Sequence, residues 1–200
     1  MRYTTYTTTA ALALGSTAAY SPDSWTFGYG FYMGPPCLLS IVEIRREVGC
    51  SAGAEEWCVA ATGQVAQPYV PVAKGAPVDF EITVQPTQNQ NQNQNQNLVH
   101  QSVRVDGILV SQQTDPLSNP LQYLYSADEC YTGSGTCGSL PGYSWINITI
   151  VLSEADPQFG QTLSLVGSTS SPRGLLTADG GSTWHAEAVV IPVDDLTAKH

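Results

Sequence analysis

The stretch YSWINITIVL, residues 143–152, places an apolar residue at every second position through most of its length. Side chains on a β-strand alternate between its two faces, so this spacing predicts a strand with one buried and one solvated face. The residues expected on the buried face are Ile146, Ile148, Ile150 and Leu152. Trp145, Asn147 and Thr149 then fall on the solvated face.

The same period of two recurs along the chain, and no segment shows the period of a helix. The further predicted strands are Trp25–Met33, Leu38–Val48, Val78–Val84, Leu98–Val110, Leu163–Val166 and Thr183–Val193. Asp106-Gly107 is a hairpin signal inside Leu98–Val110, and a single helical turn is expected within Ser153–Gly160. Short strands at such intervals predict an all-β fold, an antiparallel β-sandwich or jelly roll in a single domain.

Acidic residues outnumber basic ones by 17 to 7, and charged residues make up only 12% of the 200-residue chain. The net charge is −10 and there is no basic cluster to neutralise a phosphate backbone. Nucleic acid is therefore excluded as a partner, and an anionic membrane surface is disfavoured. Low charge with abundant Gly, Pro, Thr and Ser suits an extracellular all-β protein.

The first residues have the layout of a secretory signal peptide. Arg2 precedes a run rich in Thr, Ala and Leu, and small residues suited to cleavage end at Ala18 or Ala19. The apolar centre, Ala10–Leu14, is too short for a membrane span, which needs about 20 apolar residues. We expect residues 1–19 to be removed from a secreted protein and residues 20–200 to form the domain. The alternative is a disordered Thr-rich tail.

Five cysteines are expected to pair in the oxidising compartment that secretion implies, with one left over. Cys130 and Cys137 bracket the flexible stretch YTGSGT, and Cys50 and Cys58 bracket SAGAEEW, so these are the predicted disulfides. Cys37 could instead take a partner from either pair, because spacing does not fix connectivity. No paired CxxC spacing or nearby His indicates zinc, so neither a metal nor another cofactor is expected.

The low-complexity run PTQNQNQNQNQN occupies residues 86–97, between two predicted strands. Asn and Gln repeats have no apolar face to bury, so the run is expected to be a disordered surface loop. Self-association through Asn/Gln ladders is the alternative.

The segment TADGGSTW, Thr177–Trp184, matches every defining position of the Asp box, Ser/Thr-x-Asp-x-Gly-x-Thr-Trp. Asp179 can accept hydrogen bonds from N–H groups of its own turn, Gly181 supplies an unusual dihedral angle, and Trp184 can cover the turn. In sialidases and other proteins that carry this box, it is a structural hairpin remote from catalysis. The β-propellers of these proteins carry several copies of the box, whereas this sequence contains one. The resemblance implies a tight β-hairpin and no chemistry.

The chain resembles small secreted fungal proteins with a concanavalin-like or jelly-roll sandwich. The resemblance rests on the signal-peptide layout, the cysteine pattern, the strand spacing and the closing segment ADGGSTW…VVIP. The resemblance covers most of the chain after residue 19. It implies a sandwich fold, but its motifs are not specific to one family or activity.

Two residues of the stretch 143–152 are candidates for surface chemistry. Asn147-Ile148-Thr149 is an N-glycosylation sequon on the predicted solvated face, where a transferase can reach Asn147. An exposed Trp145 ring could stack on a pyranose, as a carbohydrate-binding surface requires. The alternative is that a crossing loop covers Trp145.

Glu43, Arg45 and His100 are the candidate catalytic residues, on predicted outward faces. In a polysaccharide lyase an Arg neutralises the uronate carboxylate while a His or Tyr abstracts the C5 proton, and paired carboxylates could serve a glycoside hydrolase. The segments EIRRE and VHQ are similar to the Arg-bearing and His-bearing strands of jelly-roll alginate lyases. The lyase Gln-x-His order and its Tyr-rich closing strand are missing. The alternative is solvated faces with cross-strand ion pairs.

Three functions follow from these features. The first is a secreted, non-catalytic carbohydrate-binding protein that acts at cell-wall or extracellular polysaccharide. The second is a polysaccharide lyase or glycoside hydrolase, and the third is a secreted surface or effector protein that binds another protein. A flat aromatic platform would favour the first, a groove of Arg, His and Tyr the second, and an exposed apolar patch the third.

Overall fold

The computed structural model describes residues 6–13, 26–34, 43–45, 56–61, 67–73, 75–86, 97–117, 123–131, 139–140, 142–171 and 174–195. Side chains are described for residues 56–61, 67–73, 75–85, 97–116, 142–170 and 174–193. The predicted cysteine partners Cys37, Cys50 and Cys137 and most of the Asn/Gln-rich run lie outside these ranges, so both disulfides stay predictions.

Within the described ranges the chain forms fourteen β-strands and one short 3-10 turn, Phe159–Thr162. The strands are β1 Tyr6–Ala13, β2 Thr26–Gly34, β3 Glu43–Arg45, β4 Glu56–Ala60, β5 Val70–Ala73, β6 Val78–Pro86, β7 Asn97–Val105, β8 Ile108–Leu117, β9 Tyr123–Tyr131, β10 Ser139–Leu140, β11 Tyr143–Leu152, β12 Thr169–Ser171, β13 Thr183–Ile191 and β14 Asp194–Asp195. The predicted all-β class is confirmed.

The strands form four sheets, and all their pairings are antiparallel. The large sheet has seven strands in the order β12-β13-β11-β1-β6-β7-β8. A small sheet has the order β3-β4-β5, and β2 pairs with β9 and β10 with β14 as two-stranded ribbons. Strands distant in sequence are therefore neighbours in the large sheet.

One hydrophobic cluster draws on both the large and the small sheet. Its buried members are Trp57, Val59, Ala61, Val72, Val78, Phe80, Ile82, Val84, Val99, Val103, Tyr143, Trp145, Ile148, Ile150, Leu152, Trp184 and Ala186. On β6 and β7 they fall at alternate positions, because alternate side chains of a strand point to the same face. The cluster therefore defines an inner face of the large sheet, and the other face is its outer face.

The strand predictions succeed where alternation is strong. β11 has the predicted bounds, and Leu98–Val110 is divided into β7 and β8 at Asp106 and Gly107, whose φ angles of +51° and +74° suit a tight hairpin turn. Leu163–Val166 is not a strand, and Val166 is 91% exposed. A strand forms instead slightly later, as β12.

The helical turn falls later than predicted and overlaps Ser153–Gly160 only at its end. The N-terminal segment contributes a strand to the large sheet. β1 lies inside residues 1–19, the segment with signal-peptide character, and it occupies the middle of the large sheet.

Candidate functional site

Trp145, the predicted sugar-stacking residue, lies in the core. Only 1% of its surface is exposed. Its ring makes edge contacts with the rings of Phe80 and Tyr143, at centroid distances of 5.4 and 6.0 Å. The prediction of an exposed Trp145 is therefore wrong, because a ring packed on other core rings has no free face for a pyranose.

A β-bulge at Asn147 explains this error. The register of β1 against β11 shifts by one residue at this point, so β11 carries one residue more than β1. Asn147 has φ +53°, in the left-handed region. An extra residue reverses the alternation of a strand, so Trp145 before the bulge and Ile148 after it both reach the core. Ile146, predicted to be buried, is only half-buried.

Asn147 itself is exposed on β11. The hydroxyl of Thr149, the third residue of the sequon, lies 3.3 Å from Nδ1 of the exposed His185 on β13. The sequon is therefore accessible at its Asn, and attachment of a glycan stays a prediction.

The three candidate catalytic residues lie on two different sheets. Glu43 and Arg45 belong to β3 of the small sheet. His100 belongs to β7 of the large sheet, where its Nδ1 lies 2.8 Å from Thr114 Oγ1. Strand pairing therefore does not bring the three together.

The faces of the two sheets separate these residues further. On β4, Val59 belongs to the shared core, and Glu43 and Arg45 pair with its two neighbours, so they occupy the alternate face of the small sheet. On β7, Val99 belongs to the core, and His100 follows it on the outer face of the large sheet. Neither the strand pairing nor the face that each residue occupies on its own strand places the three residues in one groove.

The Asp-box segment forms a hairpin held by a single carboxylate. Asp179 Oδ1 accepts hydrogen bonds from the backbone N–H groups of Thr183 at 2.9 Å and Ser182 at 3.1 Å, and from the Thr177 hydroxyl at 2.9 Å. The Thr177 oxygen accepts a bond from the Gly181 N–H at 3.0 Å. These bonds, those from Thr183 first, lower the pKa of Asp179 from 3.8 to about 2.

The hairpin packs closely on the loop that follows β11. Trp184 is buried, donates from Nε1 to the Gly181 carbonyl oxygen at 3.1 Å, and packs on Phe159 with ring centroids 5.9 Å apart. Gly181 has φ +103°, and a Cβ there would lie 2.5 Å from the backbone carbon of Asp156. A Cβ on Gly160 would collide with the Trp184 ring. These contacts give the box a structural role.

A row of buried polar residues, which the sequence did not predict, lies on β8 at the edge of the large sheet. Gln113 Nε2 donates to both carboxylate oxygens of Asp115, at 2.9 and 3.0 Å, and Gln113 Oε1 accepts from Gln67 Nε2 at 3.0 Å. The hydroxyl of Ser111 accepts from the Ala61 N–H at 3.0 Å. The row therefore fastens the sheet edge to the segments that flank the small sheet.

Among the side chains that the structure describes, no three His, Cys, Asp or Glu residues lie together as metal ligands would. In the same part of the chain, the sole helical element is the four-residue turn Phe159–Thr162, and no helix has the length and apolarity needed to cross a bilayer.

The ribbon of β2 and β9 gathers a second set of aromatic residues. The strands pair along nine positions, from Thr26 opposite Tyr131 to Gly34 opposite Tyr123. Directly opposite residues share a face, and successive residues alternate between faces. One face contains Phe27, Tyr29, Phe31, Met33, Leu124, Ser126, Asp128 and Cys130. The other, which we call the tyrosine face, contains Tyr32, Tyr123, Tyr125 and Tyr131 with Thr26, Gly28, Gly30, Gly34, Ala127 and Glu129.

Three of the four tyrosine positions, Tyr32, Tyr123 and Tyr125, are close together in the ribbon. Tyr32 is directly opposite Tyr125. Tyr123 lies two residues before Tyr125 on β9, which separates their Cα atoms by about 7 Å in a strand. The sequence showed the alternation of β2 but not this face, because β9 was not predicted as a strand and the face exists only once the two strands pair.

No protein-family model, curated protein or solved structure matches this chain.

Proposed function

We propose that the protein is a non-catalytic carbohydrate-binding protein whose ligand surface is the tyrosine face of the β2–β9 ribbon. The observation that carries the proposal is the register of this ribbon, which assigns four tyrosines to one face. A tyrosine ring offers an apolar surface to the C–H face of a pyranose, and its hydroxyl can exchange hydrogen bonds with sugar hydroxyls.

The composition of the two faces supports the tyrosine face as the solvated one. The opposite face holds Phe27, Phe31, Met33 and Leu124, which are the residues most often found inside proteins. An antiparallel sheet commonly packs one face on the core and leaves the other in water. The tyrosine face, with its glycines, a threonine and Glu129, is the better match to solvent.

The neighbours of the tyrosines suit a flat sugar ligand. Gly34 lies directly opposite Tyr123, and Gly30 and Gly28 continue the face along β2. Glycine has no side chain, so these positions leave room for a ring laid on the tyrosines. Glu129, opposite Gly28, supplies acceptors for sugar hydroxyls.

The charge of the protein favours a neutral polysaccharide. A net charge of −10 repels polyuronates and other anionic polymers. A lyase that cleaves uronates would need cationic groups at its site, and Arg45 and His100 lie on separate sheets. Binding to neutral cell-wall or extracellular polysaccharide is therefore the function we favour.

We also propose a sandwich or jelly-roll arrangement of the sheets, in which the small sheet lies over the inner face of the large one. Two observations support it: Trp57, Val59 and Val72 of the small sheet share a core with the large sheet, and the Ala61 N–H donates to Ser111 of β8. Two layers over one core are the usual solution for sheets with one apolar face.

An exported protein is part of the same proposal. Cysteines spaced for the pairs Cys50–Cys58 and Cys130–Cys137, and the exposed sequon at Asn147, fit an oxidising compartment with glycosylation. Intact mass before and after reduction and glycosidase treatment measures both features. Reduction should add about 2 Da per disulfide, and glycosidase treatment should remove a glycan mass.

The test of function is retention on a panel of insoluble neutral and acidic polysaccharides. We expect the full chain to be retained on at least one neutral polymer and to release no product. Tyr32→Ala and Tyr125→Ala should each weaken binding about tenfold, the effect of losing roughly 1.4 kcal/mol of ring contact.

Two control variants lie on the same strands as the tested tyrosines. Tyr29→Ala and Ser126→Ala lie on the opposite face of the same strands and should keep the affinity of the parent protein in their folded fraction. Trp145→Phe should lower the unfolding free energy by about 0.5–3 kcal/mol and leave binding unchanged. The proposal fails if no polymer retains the protein or if unsaturated or reducing ends are released. It also fails if alanine substitutions on the two faces of the ribbon weaken binding equally.

A further inference from the structure

β1 holds together the two halves of the large sheet. It pairs with β6 through Thr7–Leu12 and with β11 through Tyr6–Ala13. β6 and β11 flank it and have no pairing with each other in the sheet order. Neighbouring strands lie about 4.8 Å apart, so removal of β1 would leave a slot of about 10 Å between β6 and β11.

The core on either side of this slot is continuous. Phe80 of β6 and Trp145 of β11 are both buried, and their rings meet edge to face at 5.4 Å across the position of β1. Ala10 is the residue of β1 opposite Phe80. Protein interiors are close-packed, and an alanine at this register position demands little volume beside the buried Phe80.

The alternation of β1 matches that of its neighbours. Thr8, Ala10 and Leu12 pair with Ile82, Phe80 and Val78, which are buried members of the core. The intervening residues Thr7, Thr9 and Ala11 pair with Thr83, Glu81 and Asp79, which lie at the alternate positions of β6. Threonine favours extended backbone, so the composition that resembles a signal peptide also suits a strand.

Without β1, backbone groups of β6 and β11 would lose their partners. Buried N–H and C=O groups are paired in native proteins, so leaving them unpaired is destabilising. On the inner face of the sheet the flanking side chains, among them Phe80 and Trp145, are among the most buried of those described, so water has poor access from that side.

We propose that residues 6–13 are a resident strand of the folded protein, held in a strand-acceptor slot between β6 and β11, and that maturation keeps them. The slot selects an extended segment with a small residue opposite Phe80. This proposal is independent of the glycan-binding face, since it concerns only which residues the folded protein retains.

The first test is amide hydrogen exchange on the full chain, read peptide by peptide. Residues 7–12 should exchange as slowly as the paired residues of β6 and β11, because they share one hydrogen-bonded sheet. Exchange of residues 7–12 at the rate of an unstructured peptide, with β6 and β11 protected, overturns the proposal.

The second test uses a matched pair of substitutions in the full chain. Ala10→Trp fills the register position opposite the buried Phe80 and should lower the denaturant midpoint strongly. Ala11→Trp lies opposite the exposed Asp79 on the other face and should leave the midpoint near that of the parent protein. Equal midpoints for the two variants overturn the proposal.

The third test is the mass of the protein recovered from cells that export it. A mass that includes residues 6–13 is expected. A mature chain that begins between residues 17 and 20 overturns the proposal. A recombinant chain that begins at residue 17 should unfold at a lower midpoint and regain the midpoint of the full chain when a synthetic peptide of residues 1–16 is added; a midpoint equal to that of the full chain overturns the proposal.

Discussion

Asp179 acquires its low pKa from a turn that directs three hydrogen bonds to one of its oxygens. The folded-state pKa of about 2 is below the ordinary value of 3.8. The bonds therefore stabilise the folded state at pH values above the ordinary pKa, and this stabilisation is lost as the pH falls towards the folded-state pKa. We expect the hairpin to contribute to acid unfolding of the protein.

The prediction at this residue concerns the variant Asp179→Asn. An amide keeps one acceptor oxygen but does not titrate, so the variant should lose less stability than the parent protein between about pH 5 and about pH 2. Urea midpoints measured across this range give the comparison. Parallel curves for the two proteins would show that Asp179 does not couple folding to pH.

At the scale of single elements, β8 shows how an edge strand can be protected. It is the last strand of the large sheet, and it carries the buried Asp115 on its inner face with Pro116 next to it. An inward-pointing charge and a proline both discourage another strand from pairing with an exposed edge. The other edge strand, β12, has only three residues.

Asp115→Ala should lower the unfolding free energy by about 1–3 kcal/mol, because it removes the acceptor of the buried Gln113 amide. Gln112→Ala, at the exposed position just before Gln113, should change it by less than about 0.5 kcal/mol. Chemical denaturation of both variants provides the measurement. A similar loss of unfolding free energy in the two variants would mean that the buried Gln113 amide finds another partner.

The alternation of apolar and polar residues predicted those strands that bury only one of their two faces. β6, β7 and β11 are such elements, and the turn at Asp106-Gly107 was fixed by local chemistry. β4 was missed because it is buried almost throughout, so Trp57–Ala60 shows no alternation. The polar row of β8 was missed for the opposite reason, since Ser111–Asp115 contains no apolar residue.

The candidate site was harder to predict, since it depends on pairing between distant strands. The extra residue at Asn147 reverses the alternation of β11, and Trp145 therefore faces the core. The position of a bulge cannot be read from the pattern of apolar residues. The separation of Glu43 from His100 and the assembly of the tyrosine face both follow from which strands pair. Sequence alternation gives the face of a residue within one strand, but not its neighbour on the next.

At the scale of the whole molecule, the Asn/Gln-rich run connects two paired strands. Pro86 and Asn97, at its ends, are opposite each other in the β6–β7 ladder, so ten residues join them. Deleting the six residues 90–95 should raise the unfolding free energy by about 0.8 kcal/mol, the loop-closure entropy of shortening ten residues to about four.

The matched control replaces the same six residues with glycine and serine at constant length and should leave thermal stability close to that of the parent protein. Calorimetry of the three proteins gives the comparison. A loss of more than about 2 kcal/mol on deletion would show that the run makes contacts which a simple connector lacks.

The central place of β1 has a consequence for how a ribosome delivers this chain. β1 is synthesised first, but its neighbour β11 ends only at Leu152, and β13 beyond it ends at Ile191. At a synthesis rate of about 5–20 residues per second, the first strand waits roughly 7–30 s for that neighbour. Distant pairings of this kind also form slowly once both strands exist. We therefore expect the nascent chain to need shielding by chaperones until its C-terminal third has emerged.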